Sequence, residues 1–401
     1  PMPCATLADA EPRAEAKPPS TSTSTSSADD APFDESTFAG LGARNIGSAA
    51  MSGRIAAVTA AHQRDGRLRI YVGAADGGVW RSDDAGTTFK PIFDDEPVQS
   101  IGALAVDPKN PDVLWVGTGE SWTRNSVSYG DGVYKSTDGG ETWTKGALPS
   151  STERIAKIVL DPRNSDVAYV CVPGRLFSDS TDRGVYKTSD GGKTFAHVLK
   201  AANASTGCAS LALDAKNADV VYAGTWDFRR KGWTFRSGGE GPEAPSGSAL
   251  YKSVDGGKTF ADISSSKGMP NKPWGRVALA TAPSKASRVY AFVETDNSAV
   301  FVSDDAGKTW SRGDDSPNMV WRPFYFANLV VDPNDADRVY KPDGGFLASE
   351  DAAKSFQSTG DGIHGDVHDL WIDPSNSNEI VMGDDGGIFY SHDRGNHWWK
   401  G

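Results

Sequence analysis

An eight-residue pattern recurs seven times along the chain and limits its possible folds more than any other feature. In its clearest copies it reads [ST]-x-D-x-G-x-[ST]-[FW], as in STDGGETW, which begins at Ser136. Consecutive copies place their aspartates 42 to 65 residues apart. These aspartates are Asp84, Asp138, Asp190, Asp255, Asp305, Asp351 and Asp393. Repetition at this spacing predicts one supersecondary unit per copy, long enough for four short strands.

The residues around each copy have the pattern of strands joined by tight turns. An alternating stretch such as GVYKS comes directly before the pattern, and two apolar stretches flank an Asp-Pro turn further upstream, as in IGALAVDPKNPDVLWV. Proline fixes φ in such a turn, and Asp and Asn side chains bond to nearby backbone groups, which favours hairpins. The sequence therefore predicts an all-β fold, a seven-bladed β-propeller of four-stranded antiparallel blades.

The repeated pattern has a structural interpretation of its own. Its Asp and Ser/Thr side chains can accept backbone N–H bonds across a turn, its Gly can adopt positive φ, and its aromatic residue can pack between neighbouring sheets. A calcium loop needs a longer series of oxygen ligands than the pattern supplies. The seven aspartates are therefore predicted to be structural.

Charge and hydropathy exclude several function classes. The chain has 41 Lys and Arg against 53 Asp and Glu, a formal charge of −12, and no run of basic residues. This balance disfavours nucleic-acid binding and docking on an anionic membrane. No apolar stretch approaches the roughly 18 residues that a membrane-spanning helix needs. No cofactor is predicted.

The first 35 residues differ in composition from the rest. The stretch PSTSTSTSSADDAP has little to bury and predicts a disordered linker, while the small residues before it resemble the end of a secretory signal. We expect residues 1–35 to be an export remnant and linker, residues 36–401 to form the propeller, and the protein to be secreted or periplasmic. Cys171 and Cys208 lie in consecutive repeats and either pair or remain buried thiols.

The last repeat raises the question of how the ring closes. After the box that begins at Ser391, only Trp399, Lys400 and Gly401 remain to form an outer strand. Three residues are expected to be too few for an outer strand, and the sequence predicts that STFAGLGARNIG, residues 36–47, adds a strand to the last blade. Such an addition would remove two exposed sheet edges.

These residues resemble the Asp-box, or BNR, repeats of sialidases, sortilin-type receptors, xyloglucan-cleaving tandem-propeller glycosidases and photosystem II stability factors. The resemblance covers about residues 44–401. Longer strings such as GTGESWTRNSVSYGDGVYKSTDGGETW are similar to exported bacterial BNR/sortilin-like proteins that are often labelled glycosyl hydrolases. Such proteins usually carry a second propeller, so the chain is expected to be one propeller or the first of two.

In a propeller, function normally lies on the face opposite the boxes, where the irregular loops gather. Arginines that precede four inner strands are expected on this face, where they either hold a carboxylate, sulfate or phosphate or neutralise neighbouring acids. Aromatic residues beside them either stack on sugars or fill gaps between blades. The predicted ligand-binding residues are Arg54, Glu120, Trp122, Arg124, Arg154, Trp226, Asp227, Arg229, Arg230, Trp233, Arg276, Trp321 and Arg322.

Three carboxylates are candidates for glycoside hydrolysis, which needs one protonated and one ionised carboxyl group. Asp76, Asp384 and Asp385 lie in similar D-G-G strings of the first and last blades, which adjoin in a closed ring. The alternative is that these strings are only turns. In the xyloglucan-cleaving family the two catalytic carboxylates come from different propellers, so a single propeller leaves that mechanism incomplete.

The string IHGDVHDLWIDP carries a possible metal site. On a strand, His364, Asp366 and His368 would share one face and offer a two-His, one-carboxylate set for zinc or iron. The alternative is that they hydrogen-bond to neighbouring segments.

Two functions follow from these patterns. The first is an exported ligand-binding or assembly propeller that recognises a glycan, peptide or protein partner. The second is a glycoside hydrolase that uses paired carboxylates.

Overall fold

Consecutive strands pair with one another throughout the computed structural model, which describes residues 53–124, 127–232, 234–320, 322, 325 and 327–401. Within these residues there are 29 strands and one short 3-10 helix, Pro317–Val320. The strands form seven antiparallel sheets of four successive strands, and one sheet carries a fifth strand as a side hairpin. The predicted seven-bladed, all-β architecture is confirmed.

The blades are numbered in chain order. Their strands are β1 Ile55–His62, β2 Leu68–Ala74, β3 Val79–Ser82 and β4 Lys90–Pro91 in blade 1; β5 Ile101–Asp107, β6 Asn110–Thr118, β7 Val133–Ser136 and β8 Thr144–Lys145 in blade 2; β9 Lys157–Asp161, β10 Asn164–Val172, β11 Gly184–Thr188 and β12 Ala196–Lys200 in blade 3; β13 Thr206–Leu213, β14 Val221–Lys231, β15 Thr234–Ser237, β16 Leu250–Ser253 and β17 Ala261–Asp262 in blade 4; β18 Val277–Thr281, β19 Val289–Val293, β20 Ala299–Ser303 and β21 Ser311–Arg312 in blade 5; β22 Val330–Val331, β23 Val339–Pro342, β24 Phe346–Ser349 and β25 Gln357–Ser358 in blade 6; and β26 Val367–Ile372, β27 Ile380–Asp384, β28 Gly387–Ser391 and β29 Trp399–Lys400 in blade 7.

Four of the seven blades interlock with the next through a glycine on their second strand, namely Gly73, Gly117, Gly224 and Gly383. A Cβ at Gly117 would lie 2.5 Å from the Ile155 side chain of the next blade, and a Cβ at Gly73 would lie 2.5 Å from Ile101. The same glycine contact recurs between Gly383 and Ile55, which belong to the last and first blades. Only a residue without a side chain lets the β-branched neighbour approach this closely, so glycine sets the distance between blades.

The seam between blades 3 and 4 carries a disulfide at the corresponding position. Cys171 follows Tyr169 and Val170 on β10, as Gly117 follows Trp115 and Val116 on β6, and Cys208 is the third residue of β13, the inner strand of the next blade. The two cysteines are bonded. Of the two possibilities left open by the sequence, the structure therefore has the pair.

Each Asp box is a small hydrogen-bonded turn. In the first box, Asp84 Oδ1 accepts the Thr88 N–H at 2.9 Å and Asp84 Oδ2 accepts the Thr88 hydroxyl at 2.7 Å, while Ser82 Oγ accepts the Gly86 N–H at 2.8 Å. The other six boxes repeat this arrangement, with a histidine in place of the Thr in the last. The structural role predicted for the seven aspartates therefore agrees with their contacts.

The backbone after each box aspartate is left-handed even where the residue is not glycine. Ala85, Ala306, Ala352 and Arg394 occupy this position with φ between 57° and 63°, and the remaining three copies have glycine there. A left-handed alanine costs roughly 1 kcal/mol relative to glycine. The hydrogen bonds of the box hold the turn in this conformation.

The ring closes through direct contact between blades 1 and 7. The Val58 N–H donates to Asp369 Oδ2 at 3.0 Å, and His62 Nε2 lies 2.7 Å from Asp373 Oδ2.

Trp399 and Lys400 pair with β28 as the outer strand of blade 7, and six of the seven outer strands described are only two residues long. The expectation that three residues would be too few is wrong, because blades of this propeller need no longer outer strand. The segment 36–47, predicted to close the ring, lies outside the described residues, and so do residues 1–35, the predicted export remnant and linker.

Among the helices described, none has the length and apolar character to cross a bilayer.

The box carboxylates predict loss of stability in acid. The backbone and hydroxyl hydrogen bonds of Thr88 lower the pKa of Asp84 to about 2, and the equivalent bonds hold the pKa of Asp190 and of Asp305 at about 2. In the unfolded chain an aspartate titrates near 3.9. Because the folded-state pKa is depressed, the stabilisation is present above about pH 4 and is lost as the pH falls towards 2. We expect the melting temperature to fall steeply across this window.

A single-box variant checks the assignment. Asp305→Asn removes one of these titrations, so its melting temperature should be lower at pH 7 and should depend less on pH between 4 and 2. Asp296→Asn, which changes an aspartate outside the boxes in the same blade, should keep the wild-type slope. Equal slopes for Asp305→Asn and wild type would contradict the assignment.

The disulfide predicts a large stability difference. It closes a loop with a sequence separation of 37 residues, for which loop-closure entropy gives about 4 kcal/mol. The double variant Cys171→Ala/Cys208→Ala should lower the free energy of unfolding by about this amount in urea titrations, and Cys4→Ala, the remaining cysteine, should not. Wild-type protein denatured without reductant should show one titratable thiol, and three would rule the bond out.

Candidate functional site

The two ends of the propeller differ in the kind of turn they carry. Because the four strands of each blade run antiparallel in sequence order, the boxes between third and fourth strands share one end with the first hairpins. The loops between second and third strands and the blade-to-blade connections lie at the other end. We call this second end the loop face, and all the predicted ligand-binding residues that the structure describes lie on it or beside it.

Five buried side chains fill the centre of the loop face. The Trp122 ring lies 6.0 Å from the Tyr325 ring and 5.4 Å from the His368 ring, between centroids. The guanidinium carbon of Arg276 lies 5.4 Å from the Trp122 ring and 4.8 Å from the Trp226 ring. We refer to Trp122, Trp226, Arg276, Tyr325 and His368 as the axial cluster. It caps a cavity lined by residues of the inner strands, including Ala57, Ala103 and Asp369.

Arg276 is buried between the two tryptophan rings of the axial cluster. Burial lowers the pKa of Arg276 to about 10, and the charge of Glu294 opposes this effect. Glu294 Oε2 also accepts the backbone N–H of Arg276 at 2.7 Å. The aromatic faces and the carboxylate together stabilise the buried cation, as cation–π contacts do in desolvated sites.

Arg54 is neutralised inside the protein. Its Nε donates to Glu120 Oε1 at 2.7 Å, and its Nη2 donates to Glu120 Oε2, in a bidentate pair that is almost fully buried. Burial acts to lower the pKa of Arg54, but the hydrogen bond and charge of Glu120 raise it above its ordinary value. For this arginine the structure supports the alternative in which it neutralises a neighbouring acid.

The four predicted inner-strand arginines therefore have different surroundings. Arg54 binds Glu120 and Arg276 packs between tryptophans, whereas Arg322 is exposed and lies 3.6 Å from Asp366. Arg154 is buried beneath the ring of Tyr129. Arg124 is held elsewhere on the face, where its Nη1 donates to the Tyr325 hydroxyl at 3.1 Å.

The long insertion of blade 4 is an ordered hairpin. Its two arms pair from Phe228 with Ser237 to Lys231 with Thr234. Asp227 is buried at its base, where Oδ1 accepts the Ser205 hydroxyl at 2.8 Å and lies 3.0 Å from Arg236 Nη2. The predicted residues Trp233 and Trp321 lie outside the described residues.

A groove separates this hairpin from the loop of blade 3. Phe177, whose side chain is 45% exposed, forms one wall, and polar side chains form the rest. Arg229 pairs with Asp179 across it, while Arg230 stacks against Phe235 at 5.7 Å. We call it the blade 3/4 groove, and its polar lining includes Asp179, Asn203, Asp227, Arg229, Arg236 and Glu240.

The three candidate carboxylates are in unlike environments. Asp385 Oδ1 lies 2.8 Å from His368 Nε2; burial acts to raise the pKa of Asp385, but the His368 contact lowers it overall. Asp384 is fully buried, its Oδ1 accepts the Gly386 N–H at 2.6 Å, and its Oδ2 has no hydrogen-bond partner in the described part of the chain. Burial raises the pKa of Asp384 to about 6.

Asp76 and Asp384 each follow a residue that contacts the segment at the start of β1. Asp76 is buried and follows Ala75, whose N–H donates to the Arg54 carbonyl at 3.1 Å. Asp384 follows Gly383, which contacts Ile55. Both carboxylates are thus attached next to residues that touch the start of β1.

The structure does not bring the predicted metal ligands together. Asp366 has φ of 63° and β26 begins only at Val367, so the alternation expected of a strand does not extend back to His364. His364 is exposed, with its Nδ1 2.7 Å from the Gly365 carbonyl, whereas His368 is buried against Asp385. Within the described ranges no three His, Cys, Asp or Glu residues form a metal-binding group.

Sequence reasoning missed three aromatic residues of the loop face. Tyr325 belongs to the axial cluster, and Tyr129 and Phe177 are exposed beside Arg154 and the blade 3/4 groove. Tyr325 lies three residues after Arg322, and Tyr129 lies in the loop that contains Glu120 and Trp122. Both tyrosines are aromatic residues next to predicted ligand-binding residues, so the pattern that indicated the tryptophans indicates them as well.

Family models match two stretches of the chain. Residues 77–225 match the family described as Sortilin, neurotensin receptor 3, and residues 301–312 match the BNR/Asp-box repeat. The second stretch contains the box of Asp305. The chain is a BNR-repeat propeller.

Curated relatives add a link to glycoside hydrolases. A xyloglucanase of Paenibacillus sp is 26% identical over 51% of this chain and 20% of its own length. A xyloglucanase of Hypocrea jecorina is 28% identical over 58% of this chain and 22% of its own length. The propeller spans about a fifth of the length of these relatives.

Solved structures agree on the fold. An ancestral GH74 enzyme superposes with a TM-score of 0.61 at 18% identity, covering 89% of this chain and 47% of that one. YCF48 bound to D1 peptide gives a TM-score of 0.55 at 12% identity, covering 85% and 94%. At these identities the likeness shows the propeller fold alone.

Proposed function

We propose that this propeller acts on a polysaccharide as a glycoside hydrolase. Its relatives named xyloglucanase match about half of the chain, which favours this function over simple ligand binding. The proposal rests above all on Asp384, a buried carboxyl group whose pKa is raised to about 6 and whose Oδ2 has no hydrogen-bond partner among the described residues.

Glycoside hydrolysis requires a carboxyl group that remains protonated near neutral pH to protonate the leaving oxygen. Asp384 meets this requirement because burial keeps a large fraction of its carboxyl groups protonated at pH 5 to 6. Asp385 does not, since its contact with His368 holds its pKa below the ordinary value. We therefore assign Asp384 as the general acid.

Asp76 is the proposed partner carboxylate. It belongs to blade 1, which adjoins the blade of Asp384 in the ring, and both carboxylates are buried. Hydrolysis therefore requires the loop face to open at this seam. The matched relatives are more than twice as long as this chain, and a second propeller facing the loops would supply the other wall of a cleft.

The blade 3/4 groove is the proposed path of the polysaccharide. Phe177 offers an exposed aromatic face for a sugar ring, and the Asp227 network offers fixed donors and acceptors beside it. Sugars are bound in this way, by stacking combined with convergent hydrogen bonds. The groove lies on the same face as the carboxylates.

We further propose that the protein works in an oxidising compartment, secreted or periplasmic. Support comes from the Cys171–Cys208 disulfide, since such bonds persist mainly outside the reducing cytosol.

Release of reducing ends from xyloglucan measures the proposed activity. Activity should be highest at or below about pH 6 and should fall as the pH rises, because Asp384 must be protonated to act. Asp384→Asn and Asp76→Asn should each lower the rate by roughly 100-fold or more. Asp166→Asn, an exposed aspartate at the box end, is the matched control and should leave the rate unchanged.

A second candidate function is binding without hydrolysis, of a glycan, peptide or protein or of a second propeller. The burial of the axial cluster and of Asp384 favours it, because neither is open to a substrate in the free chain. Folded wild-type protein that binds xyloglucan in affinity electrophoresis, yet releases no reducing ends between pH 4 and 8, would support this function. The same result would contradict the hydrolase.

A further inference from the structure

Arg154 is a buried cation without hydrogen-bond partners. Its exposed fraction is 2%, and Nε, Nη1 and Nη2 make no hydrogen bond within the described part of the chain. A guanidinium has five N–H donors, and burying them without hydrogen-bond acceptors costs several kcal/mol. Burial lowers the pKa of Arg154, with nearby Glu153, Tyr129 and Glu120 opposing. The fold alone does not explain why an arginine occupies this position.

The neighbouring Arg183 shows how this protein normally buries an arginine. It is 1% exposed, and its guanidinium donates to the carbonyl oxygens of Pro173 at 2.6 Å and of Ser178 and Ser205 at 3.1 Å. Both arginines belong to blade 3. Nη1 and Nη2 of Arg183 donate to backbone carbonyls and only its Nε lacks a hydrogen-bond partner among the described residues, whereas all three nitrogens of Arg154 lack one.

The carboxylates closest to Arg154 are already engaged. Both oxygens of Glu120 accept hydrogen bonds from Arg54, and Glu153 lies 3.2 Å from Arg175. Both glutamates that act on Arg154 are therefore already paired with other arginines. The positive charge of Arg154 would attract a carboxylate. Its guanidinium, whose N–H donors have no acceptors among the described residues, has the planar geometry that binds carboxylates bidentately.

An exposed aromatic side chain lies over the guanidinium of Arg154. The guanidinium carbon is 5.0 Å from the centre of the Tyr129 ring, and Tyr129 is 60% exposed. Tyr129 lies in the loop between β6 and β7, on the loop face. A rotation of this exposed ring would uncover the guanidinium, and the ring would remain beside the opening as a flat surface.

We propose that Arg154 binds the carboxylate of a uronic acid residue in an acidic polysaccharide, with the Tyr129 ring stacking on the same sugar. The inference rests on the proposed polysaccharide function and narrows its substrate class. A carboxylate satisfies the fork, and an exposed ring next to it suits a pyranose face. A peptide carboxylate offers the same charge without a ring to stack, which makes it the weaker match.

The test compares oligogalacturonate with its carboxyl-reduced, neutral counterpart by isothermal titration calorimetry. We expect the wild type to bind the acidic oligomer at least 10-fold more tightly, and Arg154→Gln to lose this preference, since a charge-assisted pair is worth about 10- to 100-fold. Arg163→Gln, an exposed arginine of the same blade at the box end, is the matched control and should keep it. Peptides with a free or amidated C-terminus form a further arm, and tighter binding of the free peptide than of the uronate would overturn the saccharide assignment.

A stability measurement separates this role from a structural one. Arg154→Met removes a buried charge that has no hydrogen-bond partner among the described residues, so it should raise the melting temperature while abolishing uronate binding. A lower melting temperature with uronate affinity unchanged would overturn the proposal, as would equal wild-type affinity for the acidic and neutral oligomers. The wild-type comparison holds even if a variant fails to fold. Xyloglucan hydrolysis without uronate binding would refute this site alone, and uronate binding without hydrolysis would refute the hydrolase alone.

Discussion

The close approach of neighbouring blades is the constraint on which the rest of the structure depends. A glycine on the second strand of one blade receives a β-branched side chain from the inner strand of the next, as Gly117 receives Ile155. A pair of this kind, Gly383 with Ile55, also joins the last blade to the first. Since van der Waals packing falls off steeply with distance, a side chain at these glycines would push the inner strands apart. The axial cavity and the loop face both take their dimensions from this spacing.

One seam uses a covalent bond where others use this packing. Cys171 and Cys208 link blades 3 and 4, and the loops of these two blades carry the groove lined by Phe177 and Asp227. The longest insertion of the chain grows from blade 4 as the β14–β15 hairpin. A linked seam gives this enlarged part of the loop face a fixed base, which suits a surface that must hold its polar groups in register.

The features predictable from sequence were the local ones. A box closes hydrogen bonds between residues only four apart, such as Asp84 and Thr88, so its seven copies revealed the blade count directly. The partner of Arg54 is Glu120, 66 residues away, and nothing local distinguishes it from a free arginine. The predicted metal ligands His364, Asp366 and His368 do not come together for another reason. The positive φ of Asp366 interrupts the strand whose alternating side chains would have placed them on one face. Outer strands of two residues were also misjudged, because strand patterns are recognisable only over longer stretches.

The left-handed turn residue of the boxes bears on how such repeats diverge. Four of the seven copies place Ala or Arg at a backbone angle that usually calls for glycine. The Ser and Asp side chains keep the turn closed there, for example through Ser303 and Asp305 around Ala306. In SEDAAKSF the next position, which is the glycine of the pattern, is also replaced, by Ala353 with φ of 64°, and its N–H still donates to Ser349 Oγ at 2.9 Å. A repeat can therefore lose its glycine during evolution and still fold as a blade. Degenerate copies such as SEDAAKSF remain full structural members of the ring, and searches that demand the glycine will undercount blades in distant homologues.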